Sequence, residues 1–600
     1  MAHQSENANS LDIVWEKFVS IDLARGLAPQ QGDVFLLVPP YGRTGADFAA
    51  SPSYLGLLRG MACALPGDGA LCVLTSAEDA AETVRLLQDT LRFQLWVAVR
   101  LAQPRTNGPG LPQSHAALLV FSKYPGALRH TKTRIGYTYC PACDKTTKDY
   151  GGKKHTYHHY GTLMSDVWRD IPWTPGARPA DIAGRLADLF GIAPYRRLRV
   201  LDLTALRELG PAKTISPLLF ARSPVLEESG RKIRPRLIHG DCLARLAGMA
   251  DDSIDFCFAD PPYNLDKSYD TWDDTLEIRE YFQWCDRWLG ELARVLKPGR
   301  TCAVLNIPLW AVRHFQFLKT RLVFQNWIAW EALGLPVRLI MPAHYAIVCF
   351  SKGEPRRPPG LSRAQHSNQE REAIHCLVQP FCARRDCVRT RSARGIVDIE
   401  PVADLWWDIH RLKHNSRRAD HPCQLPPALM RRLIALFTQE GEVVLDPFNG
   451  AGTTTLCAAQ MGRRYVGIEL SEKYHEIAQA RHALLDRGGD PFAKSTQVPQ
   501  AKNSRVRRLG QSPYVVAKKT LQLEVREIAR HLGRLPTREE VAERSQYPIS
   551  YFDEYFASWG EVCAAARTTG MSEVREARSA QEGVRDGSGC RTVGAGSDLV

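Results

Sequence analysis

The segment VVLDPFNGAGTTTL, from Val443 to Leu456, decides the fold of this 600-residue chain. It reads as a hydrophobic strand (Val443 to Leu445), a glycine-containing turn (DPFNGAG, 446 to 452) and a helix rich in Thr, Ala and Leu. Glycine permits a tight bend and a close approach of the backbone to a ligand. The pattern therefore predicts a Rossmann-like α/β domain that holds a nucleotide-like ligand at this turn.

The next predicted strand, Arg464 to Leu470, carries an acidic residue, Glu469, near its end. In nucleotide-binding βαβ units, a carboxylate at this place binds the ribose hydroxyls of the ligand. An ordinary βαβ unit with a glycine turn is the alternative, and the spacing of Glu469 argues against it.

A second pattern lies earlier in the chain, in RLIHGDCLARLAGMADDSIDFCFADPPYN, 236 to 264. It predicts a strand (Arg236 to His239), a short helix and a second strand (Ile254 to Ala259). The second strand ends in the tetrapeptide DPPY, 260 to 263, and open α/β sheets bind ligands at such strand ends. Taken alone, these four letters also fit a strand that ends in a proline turn with a packed tyrosine.

Together, the two motifs resemble those of the DNA amino-methyltransferases, which use S-adenosyl-L-methionine. Because DPPY precedes the FxGxG turn, the chain resembles the circularly permuted β class, over about residues 232 to 490. The resemblance implies the catalytic residues Asp260, Pro261, Pro262 and Tyr263. It implies the cofactor-binding residues Asp241, Asp446, Phe448, Gly450, Gly452 and Glu469. The helix that precedes the glycine turn in this family falls on HPCQLP, 421 to 426.

The chemistry of an exocyclic base amine accounts for the DPPY residues. Such an amine is a poor nucleophile because its lone pair is delocalised into the ring, so an enzyme must accept hydrogen bonds from its protons. Asp260 offers a carboxylate, and the carbonyl of Pro261 offers a second acceptor on a stiff backbone. Tyr263 can stack on the target ring, which has to be flipped out of the duplex. We expect direct in-line transfer without a covalent enzyme intermediate.

The target base has two candidates. In this family, DPPY accompanies adenine-N6 methylation more often than cytosine-N4 methylation, for which serine commonly replaces the aspartate. We therefore expect a site-specific DNA adenine-N6 methyltransferase, with cytosine-N4 methylation as the alternative. A catalytically inactive DNA-binding scaffold is the alternative from another class, and the intact DPPY and FNGAG sequences argue against it.

The composition favours a nucleic-acid partner. A net charge of +13 and a pI near 9.0 suit double-stranded DNA, because neutralising phosphates with Lys and Arg releases counterions. No apolar run reaches membrane-spanning length, and the N-terminus lacks the pattern of a signal peptide. We therefore expect a cytoplasmic protein whose 16 cysteines are thiols or metal ligands.

The region between the two motifs, about 351 to 405, takes the place of the family's target-recognition region. Several arginines there could contact phosphates or guanine edges, namely Arg384, Arg385, Arg389, Arg391 and Arg394. A solvated run of charges is the alternative for any one of them.

The first 225 residues read as a degenerate copy of the second half. Four landmarks recur in the same order: VPPY (38 to 41) for DPPY, FSK (121 to 123) for FSK (350 to 352), DVWRDI (166 to 171) for DLWWDI (404 to 409), and VLD (200 to 202) for VLD (444 to 446). Val38 supplies no carboxylate, and LTAL (203 to 206) replaces the glycine turn, so this lobe should be inactive. The duplication predicts an internal pseudo-dimer, and chance matching of common α/β patterns is the alternative.

Cysteines in the first lobe have metal-ligand spacing. Cys140 and Cys143, followed by His155, His158 and His159, suit a structural zinc site of two thiolates and two imidazoles, with His155 and His159 as the candidate ligands. Cys376, Cys382 and Cys387 with His375 form a looser set in the second lobe. Reduced buried cysteines are the alternative in both places.

The C-terminal part contains a basic linker at about 491 to 515 and a helical segment at 516 to 571. The helical segment carries LGRLPT and the aromatic pattern of 551 to 560, and it resembles the small repeat associated with homing endonucleases. DNA binding follows from that resemblance alone, whereas the aromatics most simply form a core. Residues 572 to 600 are rich in Gly, Ser, Arg and Glu and should be disordered.

A separately encoded restriction or defence protein is a candidate partner. The expected assembly is either a monomer whose two lobes form a pseudo-dimer, or a dimer.

Overall fold

The computed structural model describes residues 11–18, 29–41, 52–106, 110–124, 128–131, 133–146, 161–191, 195–204, 233–265, 271–272, 274–332, 343–362, 367–379, 381–382, 384–411, 424–492, 518–556 and 558–563. They form two compact units. The first contains two α/β lobes, and the second contains the C-terminal helices. Among the described helices, none is both long and apolar enough to cross a membrane.

The first lobe is built on a seven-stranded sheet of order β1-β11-β2-β3-β5-β4-β10. Its strands are β1 Asp12–Lys17, β2 Asp33–Val38, β3 Ala70–Thr75, β4 Arg92–Arg105, β5 Gln113–Ser122, β10 Val167–Trp173 and β11 Arg197–Asp202. Two short antiparallel pairs lie beside this sheet in the chain, β6 Arg134–Ile135 with β9 Thr162–Leu163 and the hairpin of β7 Tyr139–Cys140 with β8 Lys145–Thr146. The described helices are Pro52–Ala64, Ala77–Leu87 and Ala180–Leu189. The apolar run DVFLLV of β2 is buried throughout, as expected of a central parallel strand.

The second lobe is built on an eight-stranded sheet of order β12-β21-β20-β13-β14-β16-β15-β19. Its strands, with the small pair β17-β18, are β12 Arg236–His239, β13 Ile254–Ala259, β14 Leu296–Asn306, β15 Val323–Glu331, β16 His344–Ser351, β17 His375–Leu377, β18 Ile399–Pro401, β19 Leu405–Trp406, β20 Val443–Asp446 and β21 Arg464–Glu469. The helices are Cys242–Ala247, Ile278–Val295, Pro308–Leu318, Pro359–Ser362, Asn368–Ala373, Arg385–Ala393, Pro427–Phe437, Thr453–Gln460 and Glu472–Asp486. The predicted Rossmann-like α/β fold and its four strands are confirmed, with ends shifted by one residue in β20 and β21.

The two sequence motifs meet because their strands are neighbours. Strands β13 and β20 pair in parallel, with Phe256 opposite Val444. Asp255, 2% exposed, fixes this pairing, since its Oδ2 accepts a hydrogen bond from Val443 N at 2.9 Å and Lys297 Nζ lies 2.9 Å from its Oδ1. DPPY and DPFNGAG therefore emerge side by side at the carboxyl edge of the sheet.

The two large sheets share the order of six strands. The series β11-β2-β3-β5-β4-β10 of the first lobe matches β20-β13-β14-β16-β15-β19 of the second, with the same parallel and antiparallel pairings. Strand β1 occupies the place beside β11 that β21 occupies beside β20. An internal duplication predicts this agreement, and the duplication itself stays a hypothesis. Residues 205–232, which include the end of the LTAL segment, lie outside the described part of the chain.

The lobes meet through reciprocal contacts. His115 and His344 each lie seven residues before the final serine of their strand. The Nδ1 atom of His115 lies 3.0 Å from Asp404 Oδ1, and that of His344 lies 3.0 Å from Asp166 Oδ2. The rings of Trp96, in the first lobe, and Trp327, in the second, stack at 4.0 Å with 4° between their planes. The two lobes consequently share one apolar core.

The C-terminal unit contains helices Lys518–Leu532, Arg538–Arg544, Ile549–Tyr555 and Trp559–Val562. Tyr551, Phe552 and Phe556 are buried, which confirms that aromatics form the core of this unit. The second helix begins with a capping box in which Thr537 and Glu540 each accept a hydrogen bond from the backbone of the other. The predicted linker lies outside the described residues, apart from its first two positions, and so does the predicted tail.

Candidate active site

A cleft opens at the carboxyl edge of the second sheet. Its empty volume is about 1390 Å³, part of it open to solvent. Residues of both predicted sets line it: Gly240 to Cys242, the DPPY motif, Gln424 to Pro426, Asp446 to Ala451, and Glu469 to Ser471. His421, Pro422 and Cys423 of the predicted pre-turn segment lie outside the described residues. The structure therefore brings together, in one cavity, residues that are distant in sequence.

Backbone contacts hold the DPPY loop in a fixed shape. Tyr281 Oη donates to the carbonyl of Pro262 at 2.8 Å, and Trp310 Nε1 donates to the carbonyl of Tyr263 at 2.9 Å. The carboxylate of Asp274, 2% exposed, accepts hydrogen bonds from the backbone of Asn264 and Leu265. Among the described residues, no hydrogen bond engages the carbonyl of Pro261. The loop is therefore preorganised with this acceptor available.

Tyr263 packs within an aromatic wall. Tyr263 Oη donates to Asp260 Oδ1 at 2.8 Å, so the two ends of the tetrapeptide are joined. The ring of Tyr263 lies 6.1 Å from that of Tyr345, which lies 5.6 Å from that of Trp330. Sequence reasoning missed Tyr345 and Trp330, because nothing in the pattern of strands β15 and β16 indicates which face meets the cleft. Both line it.

The glycine turn is closely packed. Gly450 and Gly452 have φ angles of 49° and 80°, in the left-handed region that side chains disfavour. A Cβ atom on Gly467 of the next strand would lie 2.6 Å from Cγ of Asn449, so glycine there lets the turn pack onto the strand. Phe448 packs between Trp284 and Trp288 at 5.7 and 5.2 Å. Contacts with the protein itself therefore fix the shape of the turn.

Carboxylates surround the turn. Glu469 accepts hydrogen bonds from Gly450 N at 2.7 Å and Ser471 N at 2.9 Å, and burial raises its pKa. Asp446 accepts from Phe448 N at 2.9 Å, and burial raises its pKa to about 7. Asp241 caps helix Cys242–Ala247 by accepting from Ala244 N at 2.9 Å. Burial explains the raised pKa of both carboxyl groups, because it penalises the charged form.

This donor set fits S-adenosyl-L-methionine. The cofactor carries a positive sulfur centre and an ammonium group, so it would restore the charge balance of Asp446, Glu469 and Asp241. The cleft also provides an aromatic side, Trp284 and Phe448, for an adenine ring. Of the residues predicted for the cofactor, Gly452 is not among those that line the cavity, whereas five do line it, namely Asp241, Asp446, Phe448, Gly450 and Glu469.

The arginines of the predicted target region differ in accessibility. Arg389 and Arg394 are exposed. Arg391 is fully buried, and its Nε lies 2.7 Å from Asp398 Oδ2. The prediction that Arg391 contacts DNA is therefore wrong, because its guanidinium is enclosed by protein and already paired. The side chain of Arg385 lies outside the described part of the structure.

The cysteines group differently from the predicted sets. Cys140 and Cys143 lie with Cys382 and Cys387, so one set combines residues of both lobes. Cys376 instead lies 3.5 Å from Arg432 Nη1, and His375 Nδ1 lies 2.6 Å from the carbonyl of Arg371. The looser set with Cys376 and His375 is therefore wrong. His155, His158 and His159 lie outside the described residues, so their part in a zinc site stays a prediction.

Comparisons with known proteins agree with this geometry. Residues 254–480 match the family described as DNA methylase, and residues 517–566 match the homing endonuclease associated repeat. The type II methyltransferase M.HpaI of Haemophilus parainfluenzae is 31% identical over 251 residues, which are 41% of this chain and 73% of that protein. The chain belongs to the DNA methylase family.

Two further relatives show how much of the chain the similarity covers. The type II methyltransferase M.BamHI of Bacillus amyloliquefaciens is 33% identical over 243 residues, 39% of this chain, and the match spans about half (54%) of that protein. The DNA adenine methyltransferase YhdJ of Escherichia coli (strain K12) is 27% identical over 263 residues, 41% of this chain and 81% of that protein. The matched shares correspond in size to the second lobe alone.

Proposed function

We propose that this protein is a site-specific DNA methyltransferase that transfers a methyl group from S-adenosyl-L-methionine to the N6 amine of adenine. One observation carries the proposal. Asp260 and Tyr263 of DPPY line the same cleft as Asp446, Gly450 and Glu469 of the cofactor site. A base amine and a cationic methyl donor can therefore meet in one preorganised cavity.

The side chains and backbone of the protein position the target amine in the cleft. When bound, S-adenosyl-L-methionine supplies an activated methyl group on a positive sulfur. Asp260 and the carbonyl of Pro261 accept hydrogen bonds from the amine, which localises its lone pair and stabilises the positive charge that develops. Tyr263 holds Asp260 through the 2.8 Å hydrogen bond and offers its ring to the flipped base. Tyr345 and Trp330 add aromatic surface that excludes water.

Adenine is favoured over cytosine by the aspartate of DPPY, since a serine is common there in the cytosine-N4 enzymes. The adenine relative YhdJ supports the same choice. Cytosine-N4 methylation remains the alternative, because both amines present similar hydrogen-bond donors to Asp260.

Double-stranded DNA is the proposed substrate, and a cytoplasmic location accords with it. The net charge of +13 and the exposed Arg389 and Arg394 near the active lobe support this choice. The C-terminal unit matches a repeat associated with homing endonucleases, so we assign it auxiliary DNA binding.

Nucleoside analysis tests the proposal. Purified protein is incubated with unmethylated genomic DNA and methyl-labelled S-adenosyl-L-methionine, and the DNA is digested to nucleosides. We expect label in N6-methyladenine. Label in N4-methylcytosine would keep the mechanism and change the base, whereas absence of label together with absence of cofactor binding would support an inactive DNA-binding scaffold.

Cofactor affinity should depend on pH through Asp446. Its folded pKa of about 7 means that protonation removes its negative charge as the pH falls through that value. Attraction to the cationic cofactor then weakens, so the dissociation constant should rise by up to about tenfold per pH unit. Equilibrium binding without DNA measures this effect.

A matched pair of variants isolates that carboxyl group. Asp446→Asn should bind the cofactor weakly at every pH with a flatter profile, while Asp251→Asn, an exposed acid (69% side-chain exposure), should keep the wild-type slope. An unchanged slope in Asp446→Asn would assign the titration to another group.

A further inference from the structure

We propose that Cys140, Cys143, Cys382 and Cys387 bind one structural zinc ion that joins the two lobes. Cys140 and Cys143 belong to the hairpin formed by β7 and β8 of the first lobe. Cys382 and Cys387 flank the start of helix Arg385–Ala393 in the second lobe. This inference does not depend on the proposed function.

The distances suit a tetrahedral thiolate site. The four Sγ atoms all lie within 4.8 Å of one another. The separation is 3.9 Å for Cys140 and Cys387 and 3.8 Å for Cys143 and Cys382. Zinc–sulfur bonds of about 2.3 Å in a tetrahedron place sulfurs about 3.8 Å apart. A disulfide would need about 2.05 Å, so the observed separations favour a shared ion over sulfur–sulfur bonds.

The surroundings stabilise thiolates. Arg391 Nη1 donates to Cys387 Sγ at 3.0 Å and to the carbonyl of Cys382 at 3.0 Å. The backbone N–H of Cys382 donates to Cys140 Sγ at 3.4 Å. Such N–H donors orient metal-binding thiolates and offset their negative charge. This role also explains why Arg391 is fully buried rather than facing DNA.

The ligand count indicates a structural site. Four protein ligands fill a tetrahedral zinc, which leaves no position for water or substrate. Three of the four cysteines are buried and one is half-buried. Cys140 and Cys382 are 242 residues apart in the chain, so the ion would fasten a first-lobe hairpin to the predicted target region. Helix Arg385–Ala393, with its exposed Arg389, would thereby take a fixed position.

Metal analysis of the full-length protein tests the site. Inductively coupled plasma mass spectrometry should find one zinc per chain after purification without added metal. Cys382→Ser and Cys387→Ser should each lose most of it, whereas Cys63→Ser, which changes an exposed cysteine outside the cluster, should keep it. Substitution of cobalt should give the intense visible absorption of a tetrahedral cobalt thiolate.

Three outcomes would overturn the proposal. The first is no zinc in the wild-type protein, even after reconstitution with zinc under reducing conditions. The second is iron in place of zinc. The third is loss of zinc from the double variant His155→Ala, His159→Ala, which would assign the site to two cysteines and two histidines. If the cysteine variants fail to fold, release of zinc from the wild-type protein by a mercurial thiol reagent gives the same answer.

Discussion

Replacing Asp260 with alanine is expected to lower methyl transfer by at least about 10²- to 10³-fold, the usual effect of losing one preorganised hydrogen-bond partner of a transition state. Without the carboxylate, the base amine keeps its lone pair delocalised, and the positive charge that forms on nitrogen has no counter-charge. The affinity for the cofactor should change little, because the turn from Asp446 to Gly452 and Glu469 remains intact. Single-turnover transfer of labelled methyl groups measures the first quantity, and equilibrium binding measures the second.

Matched variants at the same loop separate charge from shape. Asp260→Asn keeps the size of the side chain and should still lose most activity. Tyr263→Phe removes only the hydroxyl that donates to Asp260 Oδ1, so its loss should be smaller. Asp251→Ala, which changes an exposed acid away from the cleft, should leave transfer unchanged. Normal turnover by Asp260→Ala would refute the assigned role.

Replacing Asp404 with alanine is expected to destabilise the protein by about 3–5 kcal/mol, because each buried group that loses its hydrogen-bond acceptor costs about 1–3 kcal/mol. Asp404 Oδ1 accepts hydrogen bonds from Ser114 N at 2.6 Å and Ser114 Oγ at 2.9 Å and lies 3.0 Å from His115 Nδ1. The variant leaves these buried groups without their acceptor. The midpoint of denaturant unfolding measures the change.

The reciprocal pair offers a second test of the interface. Asp166→Ala should have a similar effect, because Asp166 Oδ1 accepts from the backbone of Ala343 at 2.8 Å and His344 at 3.2 Å. Asp251→Ala should cost no more than about 1 kcal/mol, since it breaks only an exposed ion pair. If either interface variant unfolds like the wild-type protein, the two His–Asp pairs do not fasten the lobes.

Local sequence predicted most of the active lobe. Strands Arg236–His239 and Ile254–Ala259 have the predicted bounds. The second is buried throughout, and a mostly apolar run followed by turn residues is a local signal of such a buried parallel strand. The glycine turn and the strand-end carboxylate Glu469 were also predictable, since both lie within one βαβ unit, and the structure places Glu469 within hydrogen-bond distance of the turn. The target-region arginines were not, because exposure depends on what packs against the helix. Arg391 is buried for that reason.

The sequence by itself determined the α/β fold of the second lobe and the two motifs, because each is encoded within short continuous segments. Only the tertiary structure decided how distant segments meet. It joined DPPY to the glycine turn through the pairing of β13 with β20, and it placed Tyr345 and Trp330 at the cleft. It also gathered the four cysteines from two lobes. The physical reason is that strand order and packing, which arise from the whole core, bring together residues that local patterns treat separately.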